Sequence, residues 1–266
     1  MNIFYHIFFC PFIYKPNMIN ILDEIMNKDN LLFTIIIGLI IGGLLYLYYF
    51  RPNNISFLEQ NDHKDIHQCL TKFNSNKIYE FPNLLTNEEC DKIIELSRNK
   101  VTRSSVIGTD GNELSDVRTS KNTFLDKSVD PLMSQIDDKI KNIIGISSDK
   151  YESLQVVNYT PGTFYKAHWD ACDPNKDPRC INDHKKGGLR FATFIIYLND
   201  DMEGGETEFP LLNLKIKPQK GKGILFFNLN DDLLGRRELS KHAGLPPTKG
   251  EKWMCNKWIR LNKFIV

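Results

Sequence analysis

Neither sign of charge dominates this 266-residue chain, in which 34 Lys and Arg face 33 Asp and Glu. Without a basic excess there is no footprint for a phosphate backbone, and no nucleic-acid partner is expected. Cysteine is sparse as well. The six, at positions 10, 69, 90, 172, 180 and 255, are too few for a disulfide-built fold and include no Cys-x-x-Cys pair. Cys172 and Cys180 bracket a loop rich in Asp, Pro and Lys. They form either a local disulfide, in an oxidising compartment, or two unpaired thiols. What is present is ordinary for a globular protein: 41% hydrophobic and 25% charged residues, in a length that buries one substantial core and leaves room for appendages.

No charged residue interrupts Leu31 to Phe50. About 20 predominantly apolar residues suffice to span a bilayer, and a soluble helix apolar on every face is uncommon. Tyr46, Tyr48 and Tyr49 stand where an interfacial aromatic belt would lie, and Arg51 closes the run. No small-residue cleavage site follows, which disfavours a cleaved signal peptide. The chain is therefore divided into an N-terminal tail (1–30), a transmembrane anchor (31–50), a polar stem (51–75) and a globular domain (76–266). Lys15 and Lys28 before the span balance Arg51 and Lys64 after it, so charge does not orient it. Two glycosylation sequons begin at Asn54 and Asn158, the first beside the membrane and the second inside an expected core strand.

Within the domain, Thr86-Asn-Glu-Glu89 is a capping box that opens one amphipathic helix. Asp130-Pro131 opens a second, whose stripe Leu132, Ile136, Ile140 and Ile143 is stopped by Gly145. From Leu154 onward the pattern is strands: 154–159, 164–169, 189–198, 206–209, 214–217, 223–228 and 252–261. Helices followed by a run of strands predict an α+β fold in which helices back a β-sandwich or barrel.

His168 and Asp170 lie two residues apart on an expected strand, so both side chains point the same way. With His242 they supply two imidazoles and one carboxylate, the facial triad of non-haem Fe(II) oxygenases. His63, His67 and His184 read as solvated, with His184 a rival ligand by position. Lys252 and Trp258 share a parity on the last strand. A buried Lys needs an anionic partner, and a dicarboxylate co-substrate would be one. Tyr159 and Tyr197 could complete its binding, and Arg260 is the next candidate for the cation.

With these pieces in order, the chain resembles the prolyl 4-hydroxylase branch of the Fe(II)- and 2-oxoglutarate-dependent dioxygenases. The resemblance is carried by Gln155-Val-Val-Asn-Tyr159, Pro161-Gly, His168-Trp-Asp170, Arg190-Phe-Ala-Thr193 and Tyr197-Leu-Asn-Asp. It continues through Glu203-Gly-Gly-Glu-Thr-Glu-Phe-Pro210, Gly221 to Asn228 and His242-Ala-Gly to Gly250-Glu-Lys-Trp, covering about Pro82 to Arg260. It implies a double-stranded β-helix (jelly-roll) core. It also implies that His168, Asp170 and His242 hold Fe(II), and that Lys252 binds the distal carboxylate of 2-oxoglutarate. Tyr159 and Tyr197 then line that pocket, and Trp258 stands beside the iron as a catalytic-site residue.

The implied enzyme is of the procollagen-proline 4-dioxygenase kind, using O2 and L-ascorbate to hydroxylate a proline-containing or collagen-like protein. By analogy with membrane-anchored family members, its domain is expected on the luminal side of the endoplasmic reticulum or secretory pathway. Two departures bear on the substrate. Trp169 separates the ligands where the family varies, and an insertion over 172–188 lies near the substrate entrance. The alternatives are hydroxylation of another side chain such as lysine, or a catalytically silent, membrane-tethered binding module.

Overall fold

In the computed structural model, which describes residues 63–265 except 109–110, 175, 178 and 179, both sequence-read helices form where their caps place them. Helix α2 (Asn87–Arg98) opens on the complete capping box: Thr86 Oγ1 accepts from the Glu89 N–H, and the Glu89 carboxylate accepts from the Thr86 N–H. Helix α3 (Pro131–Ile144) opens on Asp130, whose carboxylate accepts from the Leu132 N–H, and ends at Gly145 with φ 75°. Each such cap contributes about 1 kcal/mol.

Residues 63–75, expected to belong to the stem, are part of the globular unit. Helix α1 (Lys64–Lys72) belongs to the compact unit that runs from His63, because Ile66 and Cys69 bury completely in the core and Phe73 follows them. Three apolar residues in nine, Ile66, Cys69 and Leu70, were too few to stand out among polar neighbours. His63, read as solvated, is buried at the start of this helix. The tail, the span expected over 31–50 and Asn54 lie outside the described residues. Among the described residues no helix is long and apolar enough to cross a membrane. Asn158 is buried, with its amide donating to Glu251, so that sequon is closed to modification.

The strands are β1 (Tyr79–Phe81), β2 (Thr102–Arg103), β3 (Ser105–Gly108), β4 (Gly111–Leu114), β5 (Lys121–Leu125), β6 (Leu154–Tyr159), β7 (Tyr165–His168), β8 (Arg190–Tyr197), β9 (Glu203–Gly204), β10 (Thr207–Phe209), β11 (Leu214–Ile216), β12 (Gly223–Phe227), β13 (His242–Gly244), β14 (Pro247–Lys249) and β15 (Lys252–Arg260). The main antiparallel sheet has the order β1-β12-β8-β15-β6-β5-β2, and a smaller sheet the order β11-β10-β13-β7. This is the β-rich, helix-backed architecture of a jelly roll.

Both faces of the main sheet are covered, which explains why its strands read as continuous apolar runs. Val156, Phe194, Leu225 and Cys255 join the helices in the larger core. Their neighbours in the chain, Val157, Ile195, Ile224 and Met254, pack in a second cluster with Phe209 and Ile216 of the small sheet. Residues of this second parity line the space between the sheets. Tyr159, Thr193, Tyr197, Lys252 and Trp258 all share it.

Candidate metal and co-substrate site

His168 ends β7 and His242 begins β13, and the two are direct cross-strand partners. Their rings lie 4.3 Å apart. Asp170 follows β7 immediately. Its Oδ1 is 3.7 Å from His168 Nε2 and its Oδ2 is 3.8 Å from His242 Nε2. One donor atom from each of the three lies within 4.8 Å of the others, close enough to share one ion.

The tautomers are set by backbone carbonyls. His168 Nδ1 is 2.8 Å from the Lys166 carbonyl, and His242 Nδ1 is 2.9 Å from that of Ser240. A carbonyl only accepts, so each Nδ1 carries the proton and each Nε2 keeps its lone pair for a metal. Burial, reinforced by the neighbouring His168, lowers His242 to about 4, so it is a neutral donor at physiological pH. Burial would raise the Asp170 carboxyl, but His242, His168 and Arg190 outweigh it and hold the group ionised. Two neutral imidazoles and one carboxylate, on three positions only, suit a divalent iron with open coordination sites. His184, the positional rival, is exposed on helix α4 (Cys180–Lys185) and lies outside this cluster.

Lys252 is fully buried, and its ammonium has no hydrogen-bond partner among the described residues. It lies 5.1 Å from the Tyr159 ring and 5.6 Å from that of Tyr197. Register explains the grouping: Lys252 is directly across from Tyr159, and Met254 from Tyr197. Burial lowers Lys252 to about 7, against the weaker pull of Glu206. An orphaned ammonium beside two tyrosines fits the carboxylate of a small dianion. Gly205, at φ 76°, leaves room for the lysine stem, since a Cβ there would sit 3.3 Å from Lys252 Cδ. A Cβ at Gly244 would meet the Tyr159 hydroxyl at 2.7 Å. Burial pushes Tyr159 up to about 12, and Tyr197 upward as well, its hydroxyl bonded to Thr207 at 2.8 Å.

Trp258 is buried beneath the Arg190 guanidinium, 3.6 Å from its ring, and its indole N–H has no partner among the described residues. Arg190 is itself held by Glu152 through bonds of 2.6 and 2.9 Å. Arg260, the reserve cation, is engaged by Glu152, Asp183 and the Gly188 carbonyl, and so is not free for a ligand. Three neighbours went unread in the sequence. Tyr165 stacks on His168 at 3.5 Å, Thr193 donates to Asp170 at 2.7 Å, and Asn228 donates to Thr193 at 2.8 Å. The strand parity of Thr193 was the signal that could have found it. Cys172 and Cys180 form a disulfide that closes the insertion directly after Asp170.

Residues 154–260 match the model of the 2OG-Fe(II) oxygenase superfamily. The chain is 34% identical over 211 residues to Prolyl 4-hydroxylase 2 of Arabidopsis thaliana, covering 71% of this chain and 68% of that one. It is 33% identical over 207 residues to Prolyl 4-hydroxylase 5 of the same plant, covering 70% and 69%. Among solved structures, it resembles the viral collagen prolyl hydroxylase of Paramecium Bursaria Chlorella virus-1 in its 2OG complex. That likeness has a TM-score of 0.55 at 29% identity, over 68% of this chain and 94% of the other.

Proposed function

The chain belongs to the 2OG-Fe(II) oxygenase superfamily, among its prolyl 4-hydroxylases, and from that premise we propose that it hydroxylates peptidyl proline at C4 while anchored to a membrane. The observation that carries the chemistry is the pairing of an open His-Asp-His cluster at the small sheet with a buried lysine of the main sheet that has no hydrogen-bond partner among the described residues. Fe(II), 2-oxoglutarate and O2 supply the oxidising power when bound, with 2-oxoglutarate decarboxylated to succinate as a C–H bond becomes C–OH. Ascorbate sustains repeated turnover.

In this reading, His168, Asp170 and His242 hold the iron. Lys252 pairs with the distal carboxylate of 2-oxoglutarate, between Tyr159 and Tyr197. Trp258 faces the same side of the main sheet as Lys252. Val157, Ile195, Phe209, Ile224, Phe226 and Met254 pack as an apolar cluster between the sheets, and low polarity there strengthens each charge interaction beside it.

The substrate assignment rests on the relatives, several of which are prolyl 4-hydroxylases by name. The test is mass spectrometry of proline-rich and lysine-containing peptides after incubation with iron, 2-oxoglutarate and ascorbate. One added oxygen on proline is the expected result. Oxygen on lysine would replace the substrate, and no peptide oxidation together with no succinate would leave a binding module.

The anchor reading rests on the charge-free run 31–50. Full-length protein is expected to stay in the membrane pellet after alkaline carbonate extraction, and deletion of residues 1–51 to release it. Recovery of the full-length chain in the supernatant would refute the span. A luminal domain, in the endoplasmic reticulum or later secretory pathway, agrees with the Cys172–Cys180 disulfide, since such bonds persist in oxidising compartments. Protease digestion of intact vesicles tests it, because a luminal domain survives until detergent is added.

A further inference from the structure

Asp170 lies just past the end of β7, and the terminal torsion of an aspartate is broad. Something must hold its carboxylate still. We propose that Thr193 and Asn228 form a positioning relay that fixes the Asp170 carboxylate for metal binding, an inference that rests on the iron-site reading above.

The direction of each proton follows from the acid outward. An ionised carboxylate only accepts, so the Thr193 hydroxyl, 2.7 Å from Oδ2, gives it the proton. The hydroxyl oxygen is then free to accept. The Asn228 amide nitrogen, 2.8 Å away, is the donor that reaches it. Turning the amide over would aim its oxygen at a hydroxyl whose proton is already committed.

Both relay residues are completely buried and held by backbone. Thr193 sits on β8 with Phe226 of β12 across from it on one side and Trp258 of β15 on the other. Its branched side chain has restricted χ1 freedom. The Asn228 N–H donates to the Phe191 carbonyl, and its own carbonyl accepts from the Arg237 N–H, each at 2.8 Å. Asn228 Oδ1 has no partner among the described residues. An apolar side chain would avoid leaving that buried oxygen unsatisfied. The amide is better explained by what its nitrogen does for Thr193 than by core packing.

The test is a metal titration of the full-length apoprotein without oxygen, followed by the visible absorption of bound Co(II) and by Fe(II) competition. It needs no turnover. Loss of such an outer partner typically weakens metal binding about 10–100-fold, the effect expected for Thr193→Val. Thr193→Ser, which keeps the hydroxyl, should restore most of the affinity, and Asn228→Leu should weaken binding less than Thr193→Val. Melting of each apoprotein is measured alongside, so that affinity is compared only between folded chains. If Thr193→Val does not fold, Asn228→Leu decides, and parental affinity in that variant overturns the relay. Thr193→Val binding as tightly as the parent overturns it too, as does Thr193→Ser binding as weakly as Thr193→Val, since the hydroxyl would then not matter. A parent protein that binds no metal brings down the iron-site reading and the relay together.

Discussion

Asp170→Ala is expected to abolish 2-oxoglutarate turnover. The carboxylate is the one anion among the three clustered side chains, and its removal leaves two neutral imidazoles facing each other at 4.3 Å. A divalent cation between them would lose both a donor and a compensating charge. Since losing an outer partner alone costs about 10–100-fold, losing this ligand should cost more than that in metal affinity. Asp170→Asn separates the two contributions. It keeps the shape and an oxygen that can still accept from Thr193, but it removes the charge, so it too should be inactive while folding better than the alanine variant. Release of CO2 from 2-oxoglutarate, measured with and without added Fe(II), reads the outcome. Iron-dependent turnover at the parental rate in Asp170→Ala would remove the metal assignment altogether.

The parts of this site that were legible in the sequence are those set by local rules. His168 and Asp170 are two residues apart, and Lys252 and Trp258 six apart on one strand, so periodicity alone aims each pair. The helices were legible from their caps, and β6 from an unbroken run between residues that stop strands. The pieces that escaped depend on pairing between distant segments. Strand β13 has only three residues, too few for any pattern, and it is the cross-strand register that sets His242 against His168. Thr193 and Asn228 lie on separate segments and meet each other only because β8 and β12 are neighbours in the main sheet, and Thr193 reaches Asp170 across to the segment that follows β7 of the small sheet. Helix α1 escaped for a different reason. It is short and its apolar stripe is only Ile66, Cys69 and Leu70 among six polar residues, so its place in the core shows only in the tertiary packing. The Cys172–Cys180 bond lay between two open readings, because spacing alone does not choose between a bridge and two thiols.

Lys252→Ala is expected to raise the 2-oxoglutarate requirement steeply while metal binding is largely kept. Breaking a buried ion pair by removing one partner costs about 3–5 kcal/mol, which corresponds to about two to four orders of magnitude in affinity. Lys252→Arg returns the charge with a different shape and should recover part of the loss. Acidity provides a second, independent readout. In the free protein burial lowers Lys252 from 10.5 to about 7. Between those values the unfolded chain holds a proton that the folded chain has released, so the stability of the apoprotein rises with pH across that window. Below about pH 7 both states are protonated, and the folded one bears the uncompensated burial of a charge. Lys252→Met, with no such group, should lose this slope and gain relative to the parent at neutral and lower pH. Co-substrate binding reverses the preference, because a carboxylate beside the amine favours its charged form. Above about pH 7, binding of 2-oxoglutarate should therefore take up a proton, and parental affinity should weaken as pH rises, a dependence absent from Lys252→Met. Arg260 offers no substitute, since Glu152, Asp183 and the Gly188 carbonyl already occupy its guanidinium. If calorimetric titration finds Lys252→Ala binding 2-oxoglutarate as tightly as the parent, the buried ammonium is not the anchor for the distal carboxylate.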